Sequence, residues 1–269
     1  MIRSGSRPIL CLAAAVAVSL LALPSPASAH QTVSIDHDIL IIKGDERNDL
    51  VTIDYDSIKD EYIIGHDIED PIPAGCYRDS VEPFHKLHCP RSLVHGIFIE
   101  TVDGSDSVVF GFDTTGFPGP ILVQVSTGAG NDKFVGGPED DDVDMGDGNN
   151  NVDTSGGNDQ VATGDGNDKV DTGPGDDKAF AGGGTDKVTT ADGNDLANLG
   201  PGNDTGKGGP GNDTLKGAKG GDHLFGGAGV DWLIGGLGGD FLFGGGDNDK
   251  CKGGPGSEHE FGCEIGFNY

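Results

Sequence analysis

The chain has 269 residues, with 17 Lys and Arg against 45 Asp and Glu, a formal net charge of −28, 49 Gly and 6% aromatic residues. A surface this acidic repels phosphates, which excludes nucleic acid and anionic membrane faces as expected partners. Scattered acids would serve solubility alone, but here the carboxylates recur at a fixed interval, which solubility does not require.

Residues 1–29 read as a secretory signal peptide. Arg3 and Arg7 form a basic leader, and residues 9–23 are a run of fifteen that only Ser19 interrupts with a polar side chain. Ala27-Ser28-Ala29 then offers a small-residue cleavage site before His30. Fifteen is short of the roughly 20 residues that a membrane span needs. No later segment is apolar enough to span a bilayer. Loss of the leader removes two Arg and no acid, leaving 15 basic residues against 45 acidic ones, or 15 − 45 = −30. The chain is therefore expected to be secreted and extracellular.

Cysteine usage fits that expectation. Cys11 leaves with the leader, and Cys76, Cys89, Cys251 and Cys263 remain, an even number suited to an oxidising compartment. Four cysteines allow three pairings, of which Cys76 with Cys89 and Cys251 with Cys263 is the most economical. A transition-metal site is the rival for the first pair, because His85 and His88 precede Cys89 in HKLHC; no C-x-x-C accompanies them.

From His30 to residue 126 the chain is not repetitive but reads as β. DILIIKG from Asp38, DLVTIDYD from Asp49, EYIIG from Glu61, GIFIET from Gly96, SVVFGF from Ser107 and ILVQVS from Ile121 are short β-branched or aromatic runs between Gly, Pro and Asp clusters. Asp49 before Val51, and Gly104, Asp106 and Val108, look like degraded copies of the repeat that follows. Residues 30–126 are thus expected to form an irregular β cap continuous with a solenoid.

Residues 127–261 divide without a gap into fifteen nine-residue units, 135 residues in all. In-register examples are TGDGNDKVD from Thr163, GGPGNDTLK from Gly208 and GGLGGDFLF from Gly235. They share the form G-G-x-G-x-D-x-U-x, with U aliphatic. Self-similarity at this period marks a solenoid, in which each unit buries its apolar residue only against its neighbours. Position four is Gly in thirteen of fifteen units, Glu139 and Asp247 being the exceptions, so one tight turn recurs. Position six is a carboxylate except at Asn150, and position eight runs from Phe134 through valines to Leu215, Leu224, Leu233 and Leu242. A three-residue strand with one inward side chain is the expectation. Proline falls only at position three, in Pro138, Pro174, Pro201, Pro210 and Pro255, which confirms the register.

This pattern resembles the RTX, or haemolysin-type, calcium-binding nonapeptide repeat, over about half of the chain. The resemblance implies an all-β fold, a right-handed parallel β-roll or β-helix solenoid with two units per coil. It implies several calcium ions held between turns of units two apart. The implied carboxylate ligands are Asp132, Asp159, Asp168, Asp177, Asp186, Asp195, Asp204, Asp213, Asp222, Asp231, Asp240 and Asp249. The implied carbonyl ligands lie near Gly164, Gly166, Gly173, Gly175, Gly200, Gly202, Gly209, Gly211, Gly227, Gly229, Gly236 and Gly238. Asp141 and Glu258 are weaker candidates, the first because Glu139 replaces its turn glycine and acids crowd residues 139–142. Calcium chemistry agrees: the ion takes six to eight oxygens in flexible geometry, and one carboxylate with several carbonyls supplies half a shell. Stacking also sets like charges in columns roughly 4.8 Å apart, which is repulsive unless a cation lies between them.

Units three to nine carry Val, Ala or, at Gly206, no side chain at position eight, so a lean core is expected there. From Gly208 onward Leu dominates, and Phe225, Trp232, Ile234, Phe241 and Phe243 are expected to add to the core. The inward row ends at Cys251 and Glu260, and residues 262–269 form a C-terminal cap. There is no G-x-S-x-G, H-E-x-x-H or phosphate loop, and His37, His85 and His88 read as surface or cap histidines, so no enzyme is expected. The leading functional reading is extracellular calcium binding that stabilises the roll. The alternative is an adhesive module that engages a glycan or cell-surface partner through a calcium-dependent face.

Overall fold

The computed structural model describes residues 31–56, 59–65, 72–78, 86–111, 121–256 and 259–264. The leader, His85, Glu258 and the end of the C-terminal cap lie outside them. Among the described residues the chain is all β apart from one 3-10 turn at Arg91–Leu93, and no helix is long and apolar enough to cross a membrane.

Two sheets, of 11 and 13 strands, form the walls of a solenoid. Successive strands of the repeat go to alternate sheets, and each pairs in parallel with the strand 18 residues on. Phe134 thus faces Val152, Val152 faces Val170, and Val170 faces Val188. The stacking begins well before the regular repeat. Ile39–Lys43, Gly96–Glu100 and Leu122–Ser126 lead in parallel into Asp141–Asp144 in one sheet. In the other, Leu50–Asp56 and Ser107–Phe110 lead into Lys133–Val135. Val51, Val108 and Phe134 stack in register, so both degraded copies are coils of the same solenoid.

Antiparallel strands close the N-terminal end. Thr32–Asp36 pairs with Ile39–Lys43 on one sheet. Glu61–Gly65, Leu87–Pro90 and Tyr77–Arg78 extend the other. A reversed strand stops the parallel stack and covers an edge that would otherwise pair with another molecule. Disulfides join Cys76 to Cys89 within this end and Cys251 to Cys263 at the other. The short local pairing is the one present, and Cys89 is not available to a metal.

The core differs from the expected single row. Position eight is inward throughout, from Phe134 to Leu242. Side chains alternate along a strand, so positions six and one of the flanking turns face inward as well. Thr127, Met145, Thr154, Ala181, Thr190 and Leu199 at position one are fully buried. The coils expected to be lean are filled from there: a Cβ added at Gly206 would lie 3.0 Å from a methyl of Leu199.

The same alternation corrects the reading of the late aromatics. Positions seven and nine face outward. Trp232 is 51% and Phe243 42% exposed, and Phe225, Ile234 and Phe241 are half-buried on the outer faces. They add nothing to the core.

Candidate metal centre

The turns are built by glycine for a measurable reason. At Gly211 φ is +149°, and an added Cβ would lie 1.5 Å from the Gly193 carbonyl oxygen of the coil below. At Gly220 the figure is 1.3 Å, from Gly202 O. The carbonyl at position four thus points along the stack at the next turn, and any side chain there would occupy the same volume. The position-four amide points the other way: Gly211 N donates to Ala228 O and Gly220 N to Leu237 O, both at 2.7 Å. Of the two departures, Asp247 keeps the left-handed backbone at φ +70°.

The position-six carboxylates form two buried columns, one along each edge of the roll. In the first, Asp132 N donates to Asn150 Oδ1, Asn150 N to Asp168 Oδ1 and Asp168 N to Asp186 Oδ1, at 2.7–2.9 Å. The column continues through Asp204, Asp222 and Asp240. It reaches back through Asp106 to Asp49. Asn150, the one non-carboxylate in this column, accepts from Asp132 N and donates to Asp168 Oδ1 like its neighbours. In the second column Asp159, Asp177, Asp195, Asp213, Asp231 and Asp249 repeat the arrangement.

Asp141 at the head of the second column excepted, each carboxylate of these two runs therefore has one oxygen held by an amide. The other is a different matter. Of the twelve aspartates that the resemblance implies as ligands, eleven leave Oδ2 buried with no hydrogen-bond donor. The twelfth is Asp177, whose Oδ2 accepts from the Thr172 hydroxyl at 2.6 Å. A buried carboxylate oxygen left bare costs free energy until a donor or a cation reaches it. Asp141 is barer still, with both oxygens unpartnered. It opens its column, and the residue paired with it is Val123 of the strand Leu122–Ser126.

Burial pushes many of these groups upward. Asp204 and Asp213 rise to about 7, mainly by desolvation, lowered in part by the amide hydrogen bond and raised by the adjoining carboxylates of the column. Burial carries Asp159 to about 7 and Asp186 and Asp195 to about 6. Asp141, crowded by Asp159 and Glu139 in addition to its burial, goes to about 9. Burial also raises Asp132, Asp168, Asp177, Asp222 and Asp231.

Carbonyl oxygens approach these turns from two positions of the repeat. The carbonyls of Gly164, Gly166, Gly175, Gly202, Gly209, Gly211, Gly227 and Gly236 point at glycines of the next coil. The carbonyl beside Oδ2, however, comes from position one of the unit two on. The point where a Cβ would stand at Gly226 lies 2.3 Å from Asp231 Oδ2 and 2.6 Å from Gly244 O. Gly208, Gly217 and Gly244 show the same pair of oxygens. Among the described residues no three His, Cys, Asp or Glu side chains gather as a metal shell. The donor set is one carboxylate with carbonyls, which suits a hard cation such as calcium and not zinc.

Position one divides the turns. In the glycine-opened coils from Gly208 the space beside Oδ2 is open backbone. In the threonine-opened coils a hydroxyl fills it, donating to the facing carbonyl in Thr127, Thr154 and Thr163 or to the carboxylate in Thr172. Gly226→Ala places a methyl between the two oxygens. It should lower the calcium stoichiometry by at least one ion in a calorimetric titration, whereas Thr163→Gly should not lower it.

Position five carries a second ladder, on the surface and running the opposite way. Asn149 N donates to Asn131 Oδ1, Asn167 N to Asn149 Oδ1 and Asn212 N to Asn194 Oδ1, at 2.8–3.1 Å. Asn or Asp at position five in ten of the fifteen units was its signal in the sequence.

The cap histidines separate. His37 is on the surface, paired with Asp36 at 2.6 Å. His88 is not a surface residue: it is buried, stacked on Tyr77, and bonded through Nδ1 to buried Glu61 at 2.8 Å. Burial raises the Glu61 carboxyl, but the Tyr77 hydroxyl and His88 outweigh it and hold the group below its ordinary value.

A parallel β-solenoid whose turns stack bare carboxylate oxygens against carbonyls is a cation-binding repeat protein. Its repeats are those of a known family. The model of the RTX calcium-binding nonapeptide repeat matches residues 124–152, 144–179, 162–197, 171–206, 198–233 and 225–257, and the chain belongs to that family. No curated protein matches the chain.

Proposed function

We propose that this is an extracellular, non-catalytic calcium-binding protein in which several ions, set between turns of successive coils, hold the roll together. The observation that carries the reading is the set of eleven buried Oδ2 atoms without a donor. The position-six aspartates and the position-one carbonyls would hold the ions. Calcium would supply positive charge to columns of like charge that no cationic side chain among the described residues is shown to pair with, since the repeat's lysines stand mostly at outward positions seven and nine. Extracellular placement is supported by the leader in the sequence and by the two disulfides. The structural role is supported by linkage: ten sites at ten times their dissociation constant would add about 14 kcal/mol, as much as the whole stability of an ordinary domain.

The test is a calcium titration of residues 30–269 by calorimetry and far-ultraviolet circular dichroism, with magnesium as control. Strand signal should rise cooperatively with uptake of several ions and vanish on chelation. A chelated chain that is already folded and takes up no calcium refutes the proposal.

A further inference from the structure

The outer face of the 13-stranded sheet changes character over its last three strands. His223–Ala228, Phe241–Gly245 and His259–Phe261 lie side by side in parallel. Their outward residues make two columns: His223, Phe241 and His259 at position seven, and Phe225, Phe243 and Phe261 at position nine. Neighbouring rings stand 5.4–6.4 Å apart. Phe243 is 42% and Phe261 50% exposed.

Three features distinguish this strip from stray surface aromatics. None of its six outward residues is a carboxylate, although the chain as a whole is at −28. Among the described residues it is unobstructed: the surface ladder at position five reaches Gly221 and stops there, Gly239 follows one coil later, and Phe225, Phe243 and Phe261 are each followed by glycine. Its two columns also differ in kind, one apolar and one containing ring N–H groups. Contiguous exposed aromatics of this sort mark a binding surface.

We infer that the strip binds an uncharged, extended polysaccharide laid along the solenoid axis. The strands recur at roughly 4.8 Å, with rings in one column 5.8 Å (His223 to Phe241) and 6.4 Å (Phe225 to Phe243) apart, and a pyranose unit of an extended chain occupies a similar length. The C–H face of a sugar ring suits the phenylalanine column, and its hydroxyl rim suits the histidines beside it. A neutral strip on an acidic protein admits a neutral ligand, while anionic polymers and anionic membranes meet the charge of the edges. This gives the adhesive reading a specific face. It rests on the calcium reading only in requiring a folded roll.

The experiment uses residues 30–269 in saturating calcium and measures depletion on cellulose, chitin and alginate. The protein should be retained by at least one of the two uncharged polymers and not by alginate. Replacing Phe225, Phe243 and Phe261 together by Ala should weaken retention at least tenfold, as should Phe243→Ala alone to a lesser degree. Phe243→Tyr should restore it, and Trp232→Ala on the opposite sheet should have no effect. Circular dichroism and calcium calorimetry on each variant separate a failure of this inference from a failure of calcium binding. Retention by neither uncharged polymer overturns it. So does retention that the phenylalanine variants leave intact, or a strip whose removal abolishes only self-association or vesicle binding.

Discussion

Gly211→Ala should unfold the coils around it. The new methyl would stand 1.5 Å from the Gly193 carbonyl oxygen at a backbone φ of +149°. Neither atom can yield, because both belong to turns fixed by amides that bond to the next coil. The loss combines backbone strain with separation of two coils, about 3–5 kcal/mol for a change that in a helix would be stabilising. A solenoid divides its stability among nearest-neighbour interfaces, so the damage should be local. Denaturation of the calcium-loaded protein should split into two transitions, with the N-terminal coils melting as before. Gly246→Ala is the control, since its Cβ meets nothing within 4 Å, and it should leave the melting curve unchanged. Equal effects for the two substitutions would mean that the stacked carbonyls do not set the glycine pattern.

That contrast shows what the repeat makes legible and what it hides. Positions six and eight follow from the period of nine, and the two units per coil that the resemblance implies put residues 18 apart in contact. The disulfide pairs follow from short separation, 13 and 12 residues, and the early coils from the local Asp-x-Val pattern at Asp49 and Asp106, although their carboxylate partners lie 57 and 26 residues away. Position one was missed because it belongs to the next unit on paper and to the same strand face in space. Counting by twos across the unit boundary places Leu199 inside beside Gly206, and the same count places Phe225 and Trp232 outside. Hydrophobicity alone pointed them inward, since it does not report which face a residue occupies. His88 was hidden for another reason. Its partner Glu61 lies 27 residues away on an antiparallel strand of the cap, where no repeat fixes the register.

Without calcium, the roll should be more stable at pH 5.5 than at pH 8. Asp159, Asp186, Asp195, Asp204 and Asp213 lie at about 6 to about 7 in the fold, against 3.8 ordinarily. The folded state therefore holds their protons more tightly than the unfolded chain does. Stability from this source is fully present below pH 3.8 and is lost as the pH rises through 6 and 7. Calcium should reverse the slope, because ion and proton compete for the same Oδ2. Its affinity should rise from pH 5.5 to 8, with protons released on binding near pH 6.5, and an indicator dye or calorimetry in two buffers would read that release. Acid also relieves the repulsion of the net charge of −28, which acts in the same direction and must be separated. Surface repulsion is screened by salt, the Debye length falling to about 3 Å at 1 M, whereas buried columns are screened far less. If the chelated protein keeps its preference for pH 5.5 in 1 M sodium chloride, the columns are responsible; if salt erases it, the surface is.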